Sequence, residues 1–467
     1  MRARAREGSG AAALAVLAGG QLLIVVDATI VNVALGPIRD GLGFSSAQLS
    51  WIVTAYTLAF GGFLIPGGRI ADRFGRRRVF MAGVAVFGVA SLVGGAAETP
   101  LTLVVARAVQ GLGAAVLAPA ALGLVLEVFP SGRGRRSALG VWAAVTAAGT
   151  ALGSVLGGVL VEALSWRWVL WINVPVVAAI VLIGLAVVPR SAAVSTGRGD
   201  LPGAATVTGG LMALVYALTG VAEYGWLDVR TLAGLVLAAG LLAAFVVVQR
   251  RTADRLIPPE LLRNRAVVAA DVVGLAFGVA IFGLFYFVSL FLSTIKGAGP
   301  IAVGLAFVPM ALAITIAAQV SARYADRVAS GRLAAAGALL VAIGMALLGR
   351  LGPESTYLGA LLPTLLLAGV GLGAAFVPLT SAAVAGAGQA HAGVASALFN
   401  SGQQIGGALG LAVLTTVSAA RVSAHPDPAS AAATTAGWGL SFLIAAVVAL
   451  AAAVLAATRI VAVKESI

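Results

Sequence analysis

Asp27 stands alone among apolar residues in the stretch VVDATIVNVAL, Val25 to Leu35. A carboxylate in such surroundings is costly unless it is paired, hydrated or protonated. In a low-dielectric site a carboxyl group favours its neutral form, so it can hold a proton near neutral pH. A nearby cation favours the charged form and expels that proton. Proton and cation then compete for one group, which is a simple route to exchange. Arg107, in LTLVVARAVQGLGAAVLAP, lies roughly two turns inside another apolar run. That depth favours an arginine paired inside the protein over one snorkelling to an interface. Gln110 and Gly111 follow it at i+3 and i+4, on a similar face. A second acid, Asp271 in AADVVGLAFG, comes six positions after Arg265. Two readings stand for it, a solvated acid at a helix start and a titrating group.

Other polar residues fall where lipid or protein would surround them. Gln403 and Gln404 in NSGQQIGGALG, with Asn400 before them, suit interhelical bonds or a substrate surface. Asn32 shares a helical stripe with Gln21 and Ala28, and Asp27 points well over 90° away from it. The wheel leaves open which stripe faces a cavity and which a neighbouring helix. The loop GGRIADRFGRRRVF, Gly67 to Phe80, combines Asp72 with five arginines. Gly75 permits a tight turn there. Asp72 can meet a helix N-terminus or a loop arginine, holding adjacent helix ends together in one conformation. In GTALGSVLGGVL, Gly149, Gly153, Gly157 and Gly158 recur at a spacing that lets helix backbones approach closely.

These residues need helices to carry them, and the composition says what kind. The chain has 467 residues, is 60% hydrophobic and 10% charged, and has a mean hydropathy of +1.05. So little charge cannot cover a soluble surface, and an all-α integral membrane protein is expected. With no cysteine and two histidines, disulfides and thiolate or histidine metal sites are excluded. Fourteen apolar segments read as membrane spans: 12–35, 50–68, 79–97, 101–126, 137–161, 167–188, 203–222, 229–249, 267–294, 300–321, 333–350, 357–385, 392–419 and 436–458.

With the N-terminus inside, 23 of the 30 basic residues fall on inner connections and six on outer ones. Both termini are therefore expected to face the cytoplasm. Trp51, Trp166, Trp168, Trp171, Trp226 and Trp438 fall near the outer ends, where the headgroup level favours them. The net charge of +13 thus reflects topology, and no nucleic acid partner is expected. No connection is long enough for a nucleotide site, and no GxxxxGK[ST] pattern occurs. The longest inner connection, RRTADRLIPPELLRNR, is broken by a Pro-Pro pair and amphipathic enough to lie along the membrane surface.

Taken together, these motifs resemble the major facilitator superfamily, and within it the fourteen-span drug:proton antiporter branch. VVDATIVNVAL is similar to that branch's first-span signature at Asp27, Thr29, Asn32, Val33, Ala34 and Leu35. GRIADRFGRRR resembles the loop between spans two and three at Gly68, Asp72, Arg73, Gly75, Arg76 and Arg77. ARAVQGLGAA resembles the fourth-span motif at Arg107, Gln110 and Gly111, and GTALGSVLGG the fifth-span antiporter motif. Ser154 stands where that last motif has proline. WRWVLWINVP and ALFNSGQQIGGALG are similar to the sixth and thirteenth spans, and the loop around Asp326 looks like a degenerate second copy of Gly68–Arg77.

The resemblance implies two six-helix bundles, 1–190 and 266–467, with two extra transmembrane helices in 200–250 and an amphipathic linker at 251–265. It implies a secondary transporter of the bacterial inner membrane, not an enzyme, with no cofactor and the proton gradient as energy source. The cargo would be a lipophilic or cationic drug. A lipid, siderophore or self-made antibiotic is the alternative. Asp27, Asp271 and Arg107 would couple protons, and Asn32, Gln110, Asn400, Gln403 and Gln404 would line a substrate cavity. The Gly68–Arg77 loop, Asp326 and the four glycines from Gly149 to Gly158 would serve gating. The chain is expected to work as a monomer among membrane lipids.

Overall fold

A computed structural model describes residues 2–129, 132–189, 200–252, 255–324 and 328–460, with 2–9 and 384–393, among others, described by their backbone alone. Every regular element among them is helical. The first bundle contains α1 (Arg2–Leu42), α2 (Trp51–Phe74), α3 (Arg76–Gly95), α4 (Pro100–Val128), α5 (Gly132–Ala163) and α6 (Asn173–Val187). An added pair follows, α7 (Leu201–Tyr224) and α8 (Val229–Arg251). The second bundle contains α9 (Arg265–Leu290), α10 (Pro300–Tyr324), α11 (Ser330–Leu348), α12 (Tyr357–Ala383), α13 (Val394–Ser423) and α14 (Ala431–Arg459).

Local chemistry sets where several helices begin. Thr99 and Pro100 open α4: the threonine oxygen accepts from Thr102 N–H at 3.2 Å, and proline needs no donor at that position. Asp200, Asn264 and Ser430 cap α7, α9 and α14 in the same way. Gly75 turns the chain between α2 and α3 with φ of +93°, a conformation open to glycine at no steric cost.

Thirteen helices among the described residues are long and apolar enough to cross a membrane. The sequence predicts fourteen. The difference is α5, a helix of 32 residues of which only the apolar piece Leu152–Ala163 is described continuously with its side chains. Residues Leu362–Ser423 are helical throughout, 62 in all. They do not form one straight rod. Phe376 and Phe399 pack edge to face with centroids 6.2 Å apart. Twenty-three residues of straight helix would separate them by about 35 Å. The chain doubles back, so α12 and α13 are two antiparallel members, as the separate spans 357–385 and 392–419 predict.

Two ends of the molecule can be told apart. Trp51, Trp166 and Trp226 mark one, here the tryptophan end; the Gly68–Arg77 loop and the linker at 255–263 mark the other, the arginine end. The bundles meet along two seams, α2 against α13 and α5 against α10. Glycines make both seams close. A methyl group on Gly158 would sit 2.5 Å from the Ile301 Cα, and one on Gly61 2.8 Å from the Gln404 Cβ. At the tryptophan end one buried apolar cluster runs through both bundles, joining Leu35, Ile38 and Phe44 to Tyr286, Phe291 and Phe307. At the arginine end the first bundle's core, around Leu17, Phe80 and Leu124, is a separate cluster of its own residues. The halves thus pack against each other at the tryptophan end. Helix α7 lies over the α2–α13 seam and touches both: Leu58, Leu211, Val215, Ala408 and Ala412 share one cluster.

Candidate functional site

The polar centre of the first bundle is built from five helices. Helix α1 supplies Asp27 and can come close because α5 presents glycines to it. A methyl on Gly157 would lie 2.9 Å from the Ile30 carbonyl, and one on Gly149 3.0 Å from a Val25 methyl. Helix α4 supplies Arg107 and Gln110 from one face. Helices α3 and α6 supply Ser91 and Asn173, and α2 supplies the Ile52 carbonyl and the Tyr56 ring.

These groups satisfy one another almost completely. Arg107 Nη1 donates to Asp27 Oδ2 at 2.6 Å. The other oxygen, Oδ1, accepts from Gln110 Nε2 at 2.9 Å and Asn173 Nδ2 at 2.8 Å. Arg107 also donates from Nε to the Ile52 carbonyl at 3.0 Å and from Nη1 to Gln110 Oε1 at 2.8 Å. Its guanidinium lies 4.3 Å from the centre of the Tyr56 ring, a cation–π contact. Ser91 Oγ accepts from Gln110 at 2.7 Å and donates to the Phe87 carbonyl at 2.8 Å. Asp27 is 0% and Arg107 2% exposed. The cost of burying the acid is met by one opposite charge and two amide donors. The Tyr56 hydroxyl is the exception, buried with no hydrogen-bond partner among the described residues.

The predicted site residues divide into groups. Asp27, Arg107 and Gln110 come together, and the Gln110 amide is wholly occupied by its neighbours. It therefore stands beside the acid rather than on an open cavity wall. Asn32 is buried on the other stripe of α1 and donates to the Ala28 carbonyl at 2.9 Å, so both stripes are covered. Asp271 lies in the second bundle, away from this network. It is half-buried, and its Oδ1 is shut off without a hydrogen-bond partner among the described residues. Asn400 donates to its own helix at Ser396. Gln403 and Gln404 are half-buried where α13 meets α9 and α2, beside Gly278 and Gly61.

At the arginine end, Asp72 pairs with Arg76 at 2.9 Å, one turn on. Arg76 donates to the Gly123 carbonyl at 3.2 Å and stands 3.9 Å from Glu127, tying the loop to the end of α4. Arg77 donates to the Leu185 carbonyl at 2.5 Å, Arg73 lies over Phe74, and Gly68 packs beside Pro119. Gly153 abuts the Val26 carbonyl, and Ser154, buried where proline was expected, presents its carbonyl to Gly304 of α10. Asp326 lies outside the described residues.

Sequence reasoning missed Asn173, Ser91 and Tyr56. Asn173 carried a usable signal, a lone amide in the apolar run WINVPVV. Ser91 carried none, since a serine bonded back to its own helix is common in spans.

The description "Major Facilitator Superfamily" fits residues 17–411 of the sequence. The chain belongs to that superfamily. This facilitator is a transporter of small molecules rather than an enzyme, and a multi-span protein of the bacterial inner membrane. It is 43% identical over 419 residues to the puromycin resistance protein pur8 of Streptomyces alboniger, covering 88% of this chain and 82% of that one. It is 39% identical over 420 residues to the cephamycin export protein CmcT of Amycolatopsis lactamdurans, covering 89% and 86%. Among solved structures it resembles a peptide transporter of the POT type in complex with sulfate, with a TM-score of 0.69, 18% identity and 96% of each chain covered. That likeness speaks for the fold alone.

Proposed function

We propose that this facilitator is a fourteen-span exporter that drives lipophilic or cationic drugs out of the cell in exchange for protons. Its arginine end and both termini face the cytoplasm, and α5 is the fourteenth span. The bundles are 1–190 and 266–467, joined through the added pair in 200–250 and the linker at 251–265. The observation that carries the exchange chemistry is the buried Asp27–Arg107 pair. A proton arriving on Asp27 removes the charge that holds Arg107. The guanidinium then loses its strongest partner and keeps Gln110, the Ile52 carbonyl and the Tyr56 ring. Protonation thereby loosens the contact between α1 and α4, and loss of the proton restores it. Asp271, with one oxygen unpartnered among the described residues, is the second coupling acid and the one better placed to meet a cationic cargo.

Similarity to a puromycin resistance protein and a cephamycin export protein supports antibiotics as cargo. Each of those relatives is named for one compound or class, which favours a narrow exporter of a single antibiotic as the second reading. The test is transport in vesicles under an imposed pH gradient, with cationic dyes, neutral antibiotics and lipids as cargo. Export that stops when an uncoupler collapses the gradient is the expected result. Export that continues at full rate without a gradient would sink the proton-exchange reading.

A further inference from the structure

The added pair carries a feature that the proton exchange proposed above does not use. Helices α7 and α8 pack closely where Gly234 meets Ala217; a methyl on Gly234 would lie 3.0 Å from the Ala217 Cβ. Beside this contact a groove of about 580 Å³ opens between α7, α8 and the start of α2. Met212, Tyr216 and Leu237 line it together with small residues including Gly209 and Gly234. Small residues leave the volume unfilled, and unfilled apolar space forfeits dispersion contacts until something occupies it.

The groove has one cation, at one end. Arg230, in the first turn of α8, lines the rim and is exposed. Its guanidinium rests 4.8 Å from the centre of the Tyr224 ring, and among the described residues it makes no ion pair. The neighbouring Asp228 carboxylate accepts the Arg230 backbone N–H at 2.8 Å as a helix cap. The α8 N-terminus adds a partial positive charge at the same level. Trp226, 60% exposed, marks that level as the headgroup zone. The α7–α8 contacts run antiparallel, with Gly220 beside Thr231 and Gly210 beside Leu241 and Leu242. The lining therefore extends about 18 Å along the helices from Arg230 to Gly209. One leaflet of hydrocarbon is about 15 Å deep. Length, apolar lining and the Arg230 guanidinium at the headgroup end suit a lipid with a phosphate in its headgroup.

We propose that this groove is a binding site for an anionic phospholipid, its phosphate held by Arg230 and one acyl chain laid along Met212, Tyr216 and Leu237. The site is independent of the exported cargo and belongs to the leaflet at the tryptophan end.

The test uses the full-length protein in nanodiscs containing phosphatidylglycerol with a photoreactive diazirine in its acyl chain, crosslinks being mapped by peptide mass spectrometry. Crosslinks concentrated in 209–216 and 230–237 are expected. Unlabelled phosphatidylglycerol should compete at least fivefold better than phosphatidylcholine. R230Q should cut the yield about tenfold and R230K should restore most of it. A233F, at an exposed position on the groove, should block crosslinking without altering thermal unfolding. Crosslinks spread evenly over the lipid-facing helices would overturn the proposal. So would an unchanged yield in R230Q, or equal competition by the zwitterionic lipid.

Discussion

Arg107 reaches Asp27 at 2.6 Å across 80 positions of sequence, with both side chains shut off from solvent. Breaking such a pair on one side leaves a buried charge, which costs about 3–5 kcal/mol. Asp27→Asn is therefore expected to lower the unfolding midpoint in detergent. The double variant D27N/R107Q should recover more than half of that loss. Additive losses in the double-mutant cycle would show that the two residues are not coupled.

The same Asp27→Asn protein, reconstituted in vesicles, should lose export driven by a pH gradient by tenfold or more. It should keep binding cargo, because the amide cannot exchange a proton but alters no cavity wall. Full proton-driven export by this variant would remove Asp27 from the coupling step.

Arg107→Lys keeps the charge and loses the fork. The guanidinium serves Asp27, Gln110 and the Ile52 carbonyl at once, and a lysine ammonium is a point charge on a flexible stem. Export should fall about tenfold, with a smaller loss of stability than Arg107→Gln produces. Equal behaviour of the two variants, measured side by side, would mean that charge contributes nothing here.

Asp271 differs from Asp27 in having a carboxylate oxygen with no hydrogen-bond partner among the described residues. Asp271→Asn should leave the unfolding midpoint unchanged or raise it slightly, while export of a monovalent cation falls at least tenfold. Wild-type export by D271N would confine proton coupling to the first bundle.

Gly158 abuts the Ile301 backbone on the tryptophan-end seam. Gly158→Val should force the bundles apart there. The chain has no cysteine, so a single Ser293→Cys reporter beside Gly36 gives a clean background for maleimide labelling. Labelling should rise about fivefold in G158V; an unchanged rate would show that this contact does not hold the end closed.

Much of this was legible from the chain itself. Hydropathy marks the helices because a span must be apolar over about 20 residues whatever it packs against. Asp27 and Arg107 stand out because a charge inside such a run needs a reason. Their pairing did not show, since the helical wheel of α1 gives two polar stripes and cannot say which meets α4. The answer needed the glycines of α5, which cover α1 from one side and leave Asp27 facing the other helices. Gln110 was visible as a polar residue but was expected on a cavity wall; its amide, filled by Asp27, Arg107 and Ser91, is placed by contacts that no local pattern encodes.

Helix α7 touches α2 and α13 together, along a single seam between the bundles. Separating the bundles there would strip α7 from one of them and expose the cluster around Leu58 and Ala412. Among the described residues, the α5–α10 side has no such helix laid over its seam. A rotation about a line near α2, α7 and α13 would leave that cluster intact, like a book whose spine carries the added pair. The opening from such a rotation would be lopsided, widest beside Gly158 and Gly304, and bulky cargo would pass on that side.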